Sequence, residues 1–283
     1  MNLNCSKVQA SLLSLAVILG ATGCSAPPGE DVSAWATDLH SAARLIAGRP
    51  RADFLRAGIE LRIDPGWKTY WRYAGDSGLP PQFDFAGSEN VKSATVLWPT
   101  PRRFPDGAGG NSIGYLGGVI FPVHVVAADP AKPVKLRLKM NYGVCEKICV
   151  PAEAKTALLL AAGPASQEAA LASAEARVPK SVTPGSEGPL AIRAAHLEAS
   201  QDRGRVTVDV VAPEGLNIDL FAEGPAPDWS LPLPQPVGAP NGTARRFAFD
   251  VDGLPPGASI KGARLKLTLV AGDQAIETMV NLD

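Results

Sequence analysis

The stretch that decides the fold is VKLRLKMNYGVCEKIC, residues 134–149. Its first seven residues alternate strictly between apolar side chains (Val, Leu, Leu, Met) and basic ones (Lys, Arg, Lys). A period of two is typical of a β-strand with one face in a core and the other in solvent. The sequence therefore predicts a strand that delivers the chain directly to Cys145, with Cys149 following after three residues.

Outward from this strand, the rest of the chain also has the pattern of a β protein. Residues 55–63 (LRAGIELRI) alternate in the same way, and Asp64-Pro65-Gly66 is a turn sequence. The 28 glycines and 26 prolines indicate many turns between short strands. We predict an all-β chain with two β-sandwich domains, joined by an alanine-rich helix within residues 165–178 and a Pro/Gly linker.

These patterns divide the chain into five parts. We predict a signal peptide at residues 1–24, a tether at 25–40 and a β-sandwich with the cysteine pair at 41–163. A helix with linker follows at 164–189, and a second β-sandwich at 190–283.

The N-terminus has the features of an export signal. Residues 12–21 form an apolar run that is too short to cross a bilayer as a helix but has the length of a signal-peptide core. Ala21-Thr22-Gly23-Cys24 resembles a bacterial lipobox, which makes Cys24 the candidate lipidation site. Ordinary cleavage at Ala34-Trp35-Ala36 is the alternative, and it would discard Cys24. Either way the mature protein is expected to be exported, and a lipid anchor would be its one attachment to a membrane.

Composition limits the possible functions. Hydrophobic residues make up 46% of the chain and charged residues 19%, which is enough apolar material for two cores. The net charge of −1 gives no electrostatic basis for binding nucleic acid. The sequence contains no recognisable cofactor motif, phosphate loop or catalytic triad, so we expect no cofactor.

Cys145 and Cys149 are the cysteines that remain in the folded body, because Cys5 lies in the signal peptide and Cys24 is either lipidated or lost. A disulfide between them would close a very small ring, which stabilises a fold by only about 2 kcal/mol in the chain-entropy model. Three interpretations are open: a structural disulfide, a metal site and a redox-active pair. The metal site is short of ligands, because the chain has three histidines and none is close in sequence to the pair. Thiol–disulfide exchange is preferred, with both cysteines as the catalytic residues.

Five stretches carry a resemblance to a known family. In order and spacing they resemble the N-terminal periplasmic region of the DsbD/ScsB thiol:disulfide interchange proteins over about residues 41–160. The stretches are residues 65–71 (PGWKTYW), 75–81 (GDSGLPP), 98–101 (WPTP), 114–115 (GY) and 142–151 (YGVCEKICVP).

The resemblance implies an immunoglobulin-like sandwich in the periplasm. Its cysteine pair would receive electrons from a DsbD- or CcdA-like donor in the membrane and pass them to periplasmic thioredoxin-fold proteins, as a component of protein-disulfide reduction. In the family this region is fused to a membrane domain and a thioredoxin-like domain, and neither occurs before Asp283. Either separate proteins supply them, or the module has another role. The competing hypothesis is a non-catalytic binding or scaffold protein with a structural disulfide.

The glycine-rich segment 104–118 is predicted to be a long, mobile connection, since it contains six glycines. The resemblance implies a loop that covers the cysteines, and Phe104 and Tyr115 are the aromatic candidates for a flap over the disulfide. Four aromatic side chains could line a surface near the cysteines, namely Trp67, Tyr70, Trp71 and Trp98. Such a cluster more often belongs to a core.

Overall fold

The computed structural model describes residues 30–107, 109–161, 163, 165–198 and 204–283. The signal peptide, Cys5 and Cys24 lie outside the described residues. Within the described part of the chain, no helix is long and apolar enough to cross a membrane.

The first sandwich is built from eleven strands. They are β1 Ala36–Asp38, β2 Ser41–Ala47, β3 Leu55–Ile63, β4 Lys68–Gly75, β5 Gln82–Asp84, β6 Val91–Val96, β7 Arg102–Pro105, β8 Asn111–Leu116, β9 Gly118–Ala127, β10 Val134–Cys145 and β11 Cys149–Leu160. One sheet has the order β1-β2-β3-β9-β6, and the other has the order β11-β10-β4-β8-β7, with β5 paired to β10. The neighbouring strands of both sheets are antiparallel.

The second sandwich follows one helix, α1 Glu168–Ala176. Its strands are β12 Lys180–Ser181, β13 Ala191–Glu198, β14 Arg205–Val211, β15 Ile218–Glu223, β16 Gln235–Asn241, β17 Ala244–Asp250, β18 Arg264–Ala271 and β19 Gln274–Asn281. The sheets have the orders β12-β19-β18-β15 and β13-β14-β17-β16. The predicted fold class, two immunoglobulin-like sandwiches joined by a short helix, is confirmed.

The helix is fixed to the first sandwich by a buried leucine and by two ion pairs to one arginine. Leu171 is fully buried, and Gly58 on β3 leaves room for it: a Cβ there would lie 3.0 Å from the leucine side chain. Arg56, which is 2% exposed, forms ion pairs with Glu168 at 2.5 Å and Glu175 at 2.7 Å. Because both carboxylates neutralise it, the guanidinium can be buried without an unpaired charge.

The prediction of a long mobile connection over residues 104–118 is wrong. Most of the segment forms the hairpin β7–β8, with Arg102 opposite Gly114 and Phe104 opposite Ser112. Gly114 allows close packing, because a Cβ there would lie 1.9 Å from the carbonyl oxygen of Thr69 on β4. This glycine therefore permits close approach of two strands, and glycine composition alone does not distinguish that role from mobility.

The two sandwiches share buried apolar contacts. Phe221, Leu233 and Val270 of the second sandwich belong to the same buried cluster as Trp71 and the core of the first. The rings of Trp71 and Phe221 lie 5.6 Å apart between centroids. The domains are therefore packed against one another as well as linked by the chain.

Candidate functional site

The cysteine pair closes the tip of the β10–β11 hairpin. The strands pair in register from Val134 with Leu160 to Cys145 with Cys149, and the two cysteines form a disulfide with a Cα–Cα distance of 4.2 Å. Strand β11 begins at Cys149, because the hairpin continues to its tip. Three residues, 146–148, connect the strands beyond the disulfide.

The two sulfur-bearing residues differ in exposure. Cys145 is 1% exposed, whereas Cys149 lies on the exposed side of the hairpin tip. Ile148 beside it is 75% exposed. A partner thiolate can therefore approach Cys149, while Cys145 lies beneath it.

Tyr70 contacts both sulfurs. Its phenol oxygen lies 2.6 Å from the Sγ of Cys145 and 2.9 Å from the Sγ of Cys149. Because sulfurs in a disulfide carry no proton, the phenol is the donor. Burial raises the pKa of Tyr70 above its ordinary value, and the charge of Asp106 adds to this effect. The phenol therefore keeps its proton at neutral pH and can donate to a thiolate when the pair is reduced.

Sheet register and a covering loop fix the position of Tyr70. Cys145 pairs with Lys68 on β4, so the next residue on the same face, Tyr70, points toward the sulfurs. The loop after β4 packs onto its ring, since a Cβ on Gly78 would lie 2.3 Å from that ring. The loop is tied to β10, because the amide of Gly143 donates to the carbonyl of Leu79 at 3.0 Å.

The two flap candidates lie on different faces of this sheet. Tyr115 pairs with Thr69 and is 4% exposed, and its hydroxyl donates to the carbonyl of Pro99 at 2.8 Å. The structure therefore places Tyr115 in the core, where it cannot cover the disulfide. Phe104 pairs with Ser112, which lies two residues from Gly114, and Gly114 pairs with Tyr70. Phe104 and Tyr70 therefore lie on the same face of the sheet. Its role as a flap stays a prediction.

The tip of the β7–β8 hairpin does reach the sulfur-bearing face. The Nζ of Lys68, which pairs with Cys145, donates to the carbonyl of Pro105 at 3.2 Å. The next residue, Asp106, is close enough to act on the pKa of Tyr70. The hairpin tip therefore lies near Lys68 and Tyr70, on the face of the sheet that carries the disulfide.

Of the other aromatic residues considered from the sequence, Trp71 is fully buried, and Trp67 and Trp98 are partly buried against the same core. Tyr70 differs from these tryptophans because it contacts the sulfurs of the cysteine pair. That contact did not follow from the sequence. Within the described ranges, no group of three or more His, Cys, Asp or Glu residues could bind a metal ion.

We expect the substitution Tyr70→Phe to make the reduced pair less reactive. Without the phenol, a thiolate loses one hydrogen-bond donor, so the pKa of the attacking thiol should rise by about one unit. The pH profile of alkylation would then shift to higher pH by that amount. The matched control is Tyr142→Phe, which removes a buried hydroxyl bonded to Ser41 at 2.7 Å in the core. Coinciding profiles for the two variants would rule out this role for Tyr70.

A β-sandwich with a disulfide at a hairpin tip, one exposed cysteine and a phenol against both sulfurs is a module suited to thiol–disulfide exchange. Residues 40–161 match the family model described as "Thiol:disulfide interchange protein DsbD, N-terminal". This match confirms the resemblance to the DsbD N-terminal region that the sequence indicated for about residues 41–160.

Other comparisons concern the whole chain. The crystal structure of the N-terminal periplasmic domain of ScsB from Proteus mirabilis is similar with a TM-score of 0.70 and 21% identity. The match covers 89% of this chain and 98% of that chain, so it includes both sandwiches. At this identity the likeness establishes the fold. Comparison with curated proteins finds no match.

Proposed function

We propose that this protein is a periplasmic electron relay, in which Cys145 and Cys149 carry electrons from a membrane-embedded dithiol donor to periplasmic proteins of the thioredoxin fold. The observation that carries the proposal is the exposed Cys149 bonded to a buried Cys145 under the phenol of Tyr70. The match of residues 40–161 to the DsbD N-terminal family model supports exchange as the chemistry. The donor, the acceptors and the periplasmic location are parts of the proposal.

The chemistry proceeds in two half-cycles. A thiolate of the donor attacks the Sγ of Cys149 and breaks the disulfide, so that Cys145 leaves as a thiolate. The second thiol of the donor then resolves the mixed disulfide, which oxidises the donor and leaves both cysteines reduced. In the second half-cycle the Cys149 thiolate attacks an acceptor disulfide, and Cys145 resolves the product by attacking Cys149. Two electrons pass from donor to acceptor.

A purely structural role fits the geometry less well. The disulfide joins two residues that the β10–β11 ladder already pairs, at the end of twelve paired positions. It therefore cross-links segments that are together without it. A structural staple is most effective between distant segments, where it closes a long loop.

Apolar side chains around the pair support contact with a protein partner. Ile148, Leu79 and Leu116 are 75%, 48% and 57% exposed. Leu79 follows Gly78 in the loop over Tyr70, and Leu116 lies in the same row of the sheet as Lys68 and Cys145. Exposed apolar groups beside a reactive site are typical of a docking surface.

A redox titration tests the proposal. In glutathione buffers, with thiol alkylation as the readout, the pair should have a potential well above about −300 mV, the mark below which structural disulfides fall. A value below that mark would overturn the relay. A thioredoxin-like dithiol protein should also reduce the pair in a direct exchange assay.

A further inference from the structure

The second sandwich contacts the same strands that surround the disulfide. Strand β4 carries Tyr70, and strand β7 carries Phe104 and leads to the hairpin tip, which contacts Lys68 of β4. Close to these residues along each strand, Arg72 on β4 and Arg103 on β7 extend to the second sandwich.

The contact of Arg103 has the geometry of a fork. Its Nε and Nη2 donate to the two carboxylate oxygens of Asp219 at 3.0 and 2.6 Å, and Nη2 also donates to the carbonyl of Pro234 at 2.9 Å. The side chains of Arg103 and Asp219 are 17% and 24% exposed. A bidentate pair that is this well buried fixes orientation as well as distance.

A second contact fixes β4. The Nη2 of Arg72 donates to Glu223 at 2.7 Å and forms a further ion pair with Glu277. The hydroxyl of Tyr73 donates to the carbonyl of Leu231. Strand β4 is also held inside its sheet, between β10 and β8.

Strand β7 has less support within its own sheet. It is four residues long and lies at the edge, with β8 as its neighbour in the sheet order. Short edge strands open more readily than central ones, because fewer hydrogen bonds retain them. The fork to Asp219 therefore supplies a restraint that β7 does not obtain from a second neighbouring strand.

We propose that Arg103 and Asp219 are positioning residues for the redox site, through which the second sandwich keeps β7 and the hairpin tip beside Tyr70 and limits access to the buried Cys145. The inference rests on the proposed exchange function, because it gives the second sandwich control over that site. Arg103 acts on the hairpin tip through Phe104 and Pro105, which follow it in the chain. Neither Arg103 nor Asp219 takes part in the chemistry.

The test is Asp219→Asn in the full chain, which keeps the shape of the side chain and removes its charge. After chemical reduction, alkylation of the cysteine pair by iodoacetamide should be faster by about tenfold, since a charged hydrogen bond no longer opposes opening of the hairpin. Amide hydrogen exchange at residues 104, 106, 107 and 109–112 should increase with it. The redox potential should stay at the wild-type value.

The matched control is Asp209→Asn. Asp209 also forms a two-point pair with an arginine, Arg246, at 2.6 and 2.9 Å, but both residues belong to the second sandwich. This variant should alkylate at the wild-type rate. If Asp219→Asn does not fold, Arg103→Lys replaces it, since lysine keeps the charge and cannot form the fork.

An alkylation rate equal to that of wild type in a folded Asp219→Asn or Arg103→Lys variant would overturn the inference. Equal acceleration in Asp209→Asn would overturn it too, because the effect would then be a general loss of stability. Failure of the relay is a different result: the wild-type pair would have the low potential of a structural disulfide, whatever the alkylation rates of the variants.

Discussion

Replacing both Cys145 and Cys149 with serine is expected to abolish thiol–disulfide exchange and to leave the fold intact. The loss of exchange is complete because no other cysteine lies in the two sandwiches. The free energy of unfolding should fall by only about 2 kcal/mol, since the disulfide closes a ring of about five residues. An insulin-reduction or partner-reduction assay measures the first effect, and urea unfolding monitored by circular dichroism measures the second.

Single substitutions separate the roles of the two sulfurs. Cys145→Ser keeps the exposed Cys149 and removes the resolving thiol, so it should accumulate a mixed disulfide with the acceptor. Cys149→Ser keeps a cysteine that is 1% exposed in the wild-type structure and should form little of that adduct.

A double variant that fails to fold would mean that the pair acts mainly as a staple. Equal trapping by both single variants would contradict the assignment of Cys149 as the attacking sulfur.

Local patterns in the sequence were sufficient for much of the fold. The alternation that precedes Cys145 predicts strand β10, because the side-chain period of a strand depends on its own residues alone. The segment 55–63 was predicted as a strand with the bounds that β3 has. The helix was predicted over residues 165–178 and occupies Glu168–Ala176, a difference confined to its ends.

Features that depend on pairing between distant segments were not accessible from the sequence. Tyr70 reaches the sulfurs because β4 and β10 pair in one particular register, and Tyr70 is 75 residues from Cys145. The same register places Tyr115 on the core face, whereas its neighbours Gly114 and Leu116 lie on the face of Tyr70. A shift of one residue would exchange the two faces, so no local signal could have separated the flap candidates.

Proline and glycine also concealed strands. Strand β16 was not predicted, because QPVGAPN has the composition of a turn. It forms the edge of its sheet, beside β17, where a residue without an amide hydrogen is tolerated. The β7–β8 hairpin was missed for the related reason that its glycines were interpreted as a source of mobility.

The substitution Gly114→Ala distinguishes close packing from mobility and should have a large effect on stability. Alanine in a strand is ordinarily better than glycine by about 0.5–1 kcal/mol. At this position its Cβ would lie 1.9 Å from the carbonyl oxygen of Thr69, which is backbone and cannot move aside by rotating. The clash should exceed the intrinsic gain, with a net loss of about 3 kcal/mol in the free energy of unfolding. Exchange should fall as well, because Gly114 pairs with Tyr70.

The matched control for this substitution is Gly163→Ala, where an added Cβ meets nothing within 4 Å. It should be neutral or slightly stabilising, because alanine restricts the unfolded chain more than glycine does. Urea unfolding of the two variants beside wild type gives the comparison. Equal stability of both variants would mean that β4 and β8 can separate without cost. The hairpin would then be the mobile segment that its glycine content indicated, and the edge strand β7 could leave the disulfide without help from a partner.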